Sequence, residues 1–413
     1  MSNGDIIVSL DIGTSKVRVI IGEVNGTSIN IIGVGTAVSE GIRKGAIVDI
    51  DLTAQSIRNA VEHAERMVDI GISEVYVGIQ GNHIGIQTNH GVVAVSNEDR
   101  EIGEEDIIRV NQAAKVVTMP PDRDIINLVP KQYIVDGLEG ITDARGMIGV
   151  RLEVEASVIT CAKSAKHNLL RCVEKAGLKV KDVILLQLAS GVMTLTRDEK
   201  MNGTALVDIG GGATTIGIFH EGGIVAISTL PIGGQFVTND ISYGLRAQTE
   251  HAENLKLKFG CARIEDASED IKFKVVRMGS NVEKEFNQKE LANIIEPRMQ
   301  EIIQLVKQEV HRLGYSDIVD SYVFTGGSAA LPGTATLAQE ELQTSVRIAM
   351  PDFIGVKDAS YSNGVGMIQY VSKYIGTEHA NEVKTSSKRK SSTPAKEKKQ
   401  WLEKIKNMFQ EFI

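Results

Sequence analysis

Two short segments of the sequence carry the residue types that polyphosphate chemistry needs. Leu10-Asp11-Ile12-Gly13-Thr14-Ser15 and Val207-Asp208-Ile209-Gly210-Gly211-Gly212 each run from an apolar stretch through an aspartate into a turn of small residues, 197 positions apart. Small residues there let backbone N–H groups approach an anion with no Cβ in the way. An aspartate ending each strand repels a phosphate directly. It can instead hold Mg²⁺ through coordinated water, and that ion bridges phosphate oxygens. Two such turns face to face would clamp a polyphosphate from both sides, with Lys16 adding a point charge. A single DxG turn is an ordinary hairpin in most chains. Two copies in matching context, with a third glycine turn at Thr325-Gly326-Gly327-Ser328, are a different matter. No GxxxxGK[ST] loop and no GxGxxG opening a helix is present.

The elements that must position these turns are legible from periodicity. Apolar, β-rich runs at residues 6–10 and 17–21 flank the first turn, and a third strand is predicted near 29–34. Ile57, Val61, Ala64 and Met67 recur at three and four, which predicts a helix over 51–68; a strand at 75–79 follows. From about 84 to 161 strand-like segments surround one helix at 104–115 and a stretch holding Pro120, Pro121 and Pro130, the pattern of an inserted α+β subdomain. A helix at 163–176 and a strand at 180–186 close the first half. The second half restarts at 204–209. Strands at 214–219 and 223–230, helices at 235–244, 249–259 and 288–313, and a strand at 322–325 lead to a closing helix over 362–374.

Composition narrows the function classes. At 413 residues the chain exceeds one ordinary core, so two or more domains are expected. No apolar run reaches the roughly 20 residues a bilayer-spanning helix needs, and the N-terminus lacks the pattern of a secretory leader. Three cysteines without CxxC spacing and eight unclustered histidines argue against a disulfide framework or a zinc site. Residues 384–413 hold nine Lys/Arg against three Glu, so a net charge of −8 conceals a body near −14 and a tail of +6. That asymmetry speaks against nucleic-acid binding and for a tail with its own anionic partner.

The order of first phosphate hairpin, second phosphate hairpin and the turn Val323-Phe324-Thr325-Gly326-Gly327-Ser328 resembles the actin, DnaK-type chaperone and sugar-kinase superfamily. The resemblance is closest to the FtsA family of bacterial cell-division proteins. It is carried further by the runs GIRKGAIVDI (41–50), VPKQYIVDG (129–137), PIGGQFVTNDISYG (231–244), TEHAENLK (249–256) and IIEPRMQE (294–301). It implies an actin-like (ribonuclease-H-like) two-domain α/β ATPase fold binding ATP and Mg²⁺ between its halves. The boundaries expected are 1–83 with 162–200 for the first core subdomain, 84–161 for the insertion, 201–234 with 306–383 for the second core, and 235–305 for a small partner-binding subdomain. A basic linker at 384–399 and an amphipathic helix at 400–413 complete the chain.

Residue by residue, Asp11, Gly13, Thr14, Ser15 and Lys16 match the first phosphate hairpin, and Asp208, Gly210, Gly211, Gly212 and Thr214 the second. Gly326, Gly327 and Ser328 match the adenosine turn. Glu253 and Lys256, one helical turn apart, match the pair bracketing ribose and adenine; on spacing alone they would be a surface ion pair. Arg298 and Glu301 match positions that grip the C-terminal peptide of FtsZ. The insertion is expected to contact neighbouring subunits of a homopolymer and later division proteins. One departure concerns catalysis. Where related ATPases often carry Gln or Glu to orient the attacking water, this chain has Leu186-Gln187-Leu188 and no carboxylate. Gln187 can orient water but cannot act as a base, so hydrolysis is expected to be slow at most.

Trp401, Leu402, Ile405, Met408, Phe409, Phe412 and Ile413 form one apolar stripe, with Lys398, Lys399, Lys404 and Lys406 beside or opposite it. A tethered helix of this kind suits an anionic membrane surface, in the interface plane, because fourteen residues cannot span. A groove on a partner protein and a return to the body are the alternatives. Together with this tail, the resemblance to the FtsA family implies a place at the cytoplasmic face of the membrane at the division site, as a peripheral adapter for the FtsZ ring. A small-molecule kinase of the same superfamily is the other functional reading; it would need an acceptor-binding base in the cleft and has no use for the terminal helix.

Overall fold

The computed structural model describes residues 5–279 and 283–375. Segments 384–399 and 400–413, expected to be a linker and an amphipathic helix, lie outside the described residues. The chain divides into a unit spanning Met1–Gln369 and a second, Tyr370–Ile413, described only to Ile375.

The first unit begins with a meander, β1 (Asp5–Ile12), β2 (Lys16–Asn25) and β3 (Ser28–Val38). A small hairpin, β4 (Ile42–Arg43) and β5 (Ala46–Ile47), leads into α1 (Ile50–Val68) and β6 (Glu74–Ile79). Asp49 caps α1 by accepting from the N–H groups of Asp51 and Leu52, and Ile57, Ala60, Val61 and Ala64 make its buried face. The insertion follows as β7 (Gly85–Ala94), α2 (Glu104–Ala114), β8 (Arg123–Val135), β9 (Leu138–Ile141) and β10 (Arg151–Ala162). It forms its own four-stranded sheet, order β7-β10-β8-β9, around a separate core that includes Val110, Tyr133, Leu152 and Val154.

The chain returns through α3 (Lys163–Lys175) and β11 (Lys179–Leu185), then crosses to the second half by α4 (Leu186–Thr194) and α5 (Arg197–Asn202). There β12 (Thr204–Ile209), β13 (Thr214–His220) and β14 (Gly223–Leu230) form a second meander. Next come α6 (Gly234–Leu245), α7 (Thr249–Phe259), β15 (Lys272–Val276), β16 (Glu283–Asn287) and α8 (Gln288–Arg312). The described fold ends with β17 (Ser321–Thr325), α9 (Thr334–Leu342), β18 (Ser345–Ile348) and α10 (Ser362–Tyr370). The closing helix expected over 362–374 is thus α-helical only to Tyr370, with a π-helical turn at Val371–Ile375.

The two main sheets are copies in topology. Their orders are β11-β6-β1-β2-β3 and β14-β13-β12-β17-β18. In each, an antiparallel meander continues into two parallel strands on the far side of its first strand. The parallel strands are reached by crossovers, and the inner ones, β6 and β17, are buried, which explains the continuous apolar runs at 75–79 and 322–325. This duplication sets the two Asp-Ile-Gly turns at equivalent corners of equivalent sheets. Among the described residues no helix is long and apolar enough to cross a membrane, and all three cysteines are buried free thiols.

Candidate functional site

The two glycine turns meet. Each closes its hairpin with one backbone bond, Gly13 N–H to the Lys16 carbonyl at 3.1 Å and Gly210 N–H to the Ala213 carbonyl at 3.0 Å. A Cβ added to Gly211 would stand 1.9 Å from Ser15 Oγ, and one added to Gly212 would stand 2.6–2.9 Å from the side-chain atoms of Thr14. Glycine at these two positions is therefore what allows the corners to approach. Thr14 is tied on its other side by the β4–β5 hairpin, whose Gly45 N–H donates to Thr14 Oγ1 at 3.2 Å. The Ser39 N–H donates to the Ser15 carbonyl at 3.0 Å.

Beneath the turns lie Asp11 and Asp208, each 5% exposed. Burial pushes the Asp11 carboxyl up to about 6, opposed by the nearby Arg18 guanidinium and reinforced by the charge of Asp208. Burial also raises Asp208, against a hydrogen bond from Asn363 and the Arg18 charge. Asp11 Oδ1 is buried with no hydrogen-bond partner. Two desolvated carboxylates, one with an orphaned oxygen, beneath turns whose contact requires glycine at 211 and 212, fit a hydrated Mg²⁺ and its phosphate ligands. Asp11 and Asp208 would hold the ion through water, and the turn N–H groups would receive phosphate.

The helices that cross between the halves end at this spot. Asn363, in the first turn of α10, donates Nδ2–H to Asp208 Oδ2 at 2.9 Å, and the Ser190 hydroxyl of α4 donates to Asn363 Oδ1. A Cβ on Gly366 would lie 2.4 Å from the Ala189 carbonyl oxygen, so α4 and α10 touch backbone to backbone. Gln187, also on α4, is wholly buried; its Nε2–H donates to the Thr215 carbonyl at 3.3 Å and its Oε1 has no partner. Thr215 is the residue paired with Asp208 across β12–β13, so Gln187 reaches the second carboxylate through one strand pair.

The third turn joins the second hairpin. Ser328 N–H donates to the Ile209 carbonyl at 3.1 Å, and Gly326, at φ +90°, leaves room for Asp208 where a Cβ would come within 2.2 Å of its Oδ1. Gly327 lies against Ser360. Thr214 Oγ1 donates to the Ile232 carbonyl at 2.8 Å, holding the start of α6 under the turn. Lys256 is buried there: Nζ donates to the Gly234 carbonyl at 3.0 Å, Thr238 Oγ1 at 2.8 Å and Glu253 Oε2 at 2.7 Å. Burial lowers its pKa, opposed by Glu253. The Glu253–Lys256 pair is therefore a pinned wall beside Ser328 rather than a loose surface contact.

Of the other predicted residues, Lys16 adjoins the first turn, and Arg298 and Glu301 lie apart from this cluster. Lys16 opens β2 with an exposed side chain. Arg298 is half-buried on α8, its Nε 2.6 Å from Asp240 Oδ2 and its guanidinium also paired with Glu301 and lying over Phe236. Three participants escape sequence reasoning. Asn363 and Arg18 stand in unremarkable contexts and become notable only by contact. The β4–β5 hairpin carried a signal in its paired glycines, Gly41 and Gly45, both with positive φ.

Comparison with known proteins follows the same outline. Residues 205–366 match the family model for cell division protein FtsA, and residues 81–160 match the SHS2 domain inserted in FtsA. The chain is 49% identical over 370 residues to the cell division protein FtsA of Bacillus subtilis (strain 168), covering 90% of this chain and 84% of that one. Against the FtsA of Pseudomonas aeruginosa it is 40% identical over 377 residues, 90% of each chain. Of solved structures, MreB5 of Spiroplasma citri bound to ADP superposes with a TM-score of 0.53 at 13% identity, covering 90% of this chain and 98% of that one. A chain of the PilM–PilN type IV pilus biogenesis complex gives 0.59 at 14%, covering 88% and 98%. At such identities the likeness speaks for the fold alone, and that fold is actin-like.

Proposed function

The chain belongs to the FtsA family of cell-division proteins, and from that premise we propose that it is an ATP-binding adapter tethering FtsZ polymers to the inner face of the membrane. One observation carries the nucleotide part: two glycine turns in contact above two buried carboxylates, one with an oxygen that nothing satisfies. When bound, Mg²⁺ would neutralise phosphate charge. The chain's own residues supply the rest. The N–H groups of Thr14, Ser15, Gly211 and Gly212, beyond the two bonds that close the hairpins, would donate to phosphate oxygens, Asp11 and Asp208 would orient water around the ion, and Glu253, Lys256 and Gly326–Ser328 would wall the adenosine. That a fold neighbour was solved bound to ADP agrees with this reading.

The crossing-helix stretch 185–191 holds no carboxylate that could act as a general base. Gln187, held on the Thr215 carbonyl, can only orient water, which supports slow turnover at most. Nucleotide between the halves would bias the α4–α10 crossing toward closure and so favour head-to-tail self-assembly. Arg298 and Glu301, preassembled with Asp240, offer an ionic grip for the FtsZ tail. The stripe from Trp401 to Ile413 offers the lipid contact, at about 25 cal/mol per Å² of apolar area buried and about 1 kcal/mol per nearby Lys/Arg.

Co-sedimentation with ATP, with and without anionic vesicles and an FtsZ tail peptide, tests the whole. Deleting residues 400–413 is expected to abolish vesicle flotation and spare ATP binding, and Arg298→Glu to abolish peptide binding alone. Failure of the intact protein to bind ATP would end the nucleotide reading; flotation of the truncated protein would end the membrane one.

A further inference from the structure

Arg18 stands on β2 directly opposite Asp11 in the β1–β2 register, so the two side chains share a face of the sheet. Its guanidinium carbon lies over the Tyr361 ring, 5.3 Å from the centroid. Its charge is felt by both Asp11 and Asp208. Even so, Arg18 Nε is buried with no hydrogen-bond partner, and Asp11 Oδ1 is likewise buried and unpartnered. A donor and an acceptor on paired residues, each dehydrated and each unsatisfied, would bond to one another if nothing belonged between them. What satisfies both is an anion presented to the arginine and a hydrated cation presented to the aspartate.

We propose that Arg18 is the fixed cation of the phosphate site, its free Nε–H donating to a phosphate oxygen of the bound nucleotide while Tyr361 holds the guanidinium plane. The inference rests on the nucleotide reading and adds which side chain recognises phosphate. Lys16, the cation nearest the turn in sequence, is solvent-exposed, and its charge is screened and flexible. Arginine suits the task because its planar donors are ordered by stacking and remain charged at any working pH. Because Arg18 addresses phosphate rather than the metal, its contribution persists when magnesium is removed.

The test uses the full chain and measures the affinity of ATP, ADP and adenosine by calorimetry, in MgCl₂ and in EDTA. Arg18→Ala is expected to weaken ATP and ADP about ten- to a hundred-fold, the worth of a hydrogen bond to a charged group, with the same ratio in EDTA and no change for adenosine. Lys16→Ala is expected to lose less than about five-fold. Arg18→Gln, which keeps a planar group but no charge, reads the same loss if the alanine variant does not fold. Equal ATP affinity in wild type and the Arg18 variants, an equal loss for adenosine, or a larger loss in Lys16→Ala would each overturn the assignment. A wild-type protein that binds no adenine nucleotide would instead sink the proposed function itself.

Discussion

Asn363 donates its Nδ2–H to Asp208 Oδ2 at 2.9 Å while accepting from the Ser190 hydroxyl. One buried amide therefore joins the second carboxylate to both helices that cross between the halves. Movement of α4 against α10 has to be registered at Asp208, and a change in what Asp208 coordinates has to be registered at the crossing.

Replacing that amide isolates the coupling. Asn363→Ala leaves a buried carboxylate without its donor and is expected to cost about 1–3 kcal/mol, seen as a lower urea midpoint. Nucleotide affinity should fall as well, because Asp208 loses its orientation. An unchanged urea midpoint would mean that the Asp208 contact contributes nothing to stability.

The buried aspartates make the nucleotide-free protein sensitive to pH. Asp11 titrates near 6 in the folded chain against an ordinary 3.8, so between those values the folded state binds more protons than the unfolded state. Stability then falls as pH rises through that window, and above it the penalty is complete, on the order of 2–3 kcal/mol. The melting temperature of Asp11→Asn should exceed that of wild type by an amount that grows from pH 4.5 to pH 7, with nucleotide binding lost. A gap independent of pH would contradict the buried, protonation-prone carboxyl.

Contact between the turns is a steric matter. Gly212→Ala places a methyl within 2.9 Å of Thr14 Cβ, an atom that no rotamer change can move away. The corners must separate, and ATP affinity is expected to drop at least about ten-fold, equivalent to 1.4 kcal/mol, with secondary structure by circular dichroism retained. Wild-type affinity in this variant would show that the turns need not touch.

The helix crossing has a similar constraint. Gly366→Ala sets a methyl 2.4 Å from the Ala189 carbonyl oxygen, a backbone atom. Overpacking of this kind costs about 1–3 kcal/mol. ATP affinity is expected to change together with stability, since α10 also carries Asn363. A stable Gly366→Ala protein with normal binding would place the crossing outside the nucleotide response.

Some of this was readable before any coordinates. The repeat of strand, aspartate, isoleucine and glycine at 10–15 and 207–212 announced two equivalent corners. Helical and strand periods located α7 to the residue and α8 to within one. The glycines at 211 and 212 and the Glu253–Lys256 spacing were visible as local pattern. Patterns of this range are set by backbone geometry and by which face of an element is apolar, and both are written in neighbouring residues.

What the folded chain alone decided lies at long range. Asp208 and Asn363 are 155 positions apart, and Ser190 and Asn363 are 173 apart. Nothing in the stretch Ser362-Asn363-Gly364 marks it as part of a phosphate site, and Arg18 reads as one more polar residue of an alternating strand. By spacing alone Lys256 is a surface charge; α6 and the Ser328 turn bury it. Spacing determined which residues could do the chemistry. Burial, which depends on where two duplicated sheets and two crossing helices come to rest, decided which charges lose their water and must be satisfied by something else.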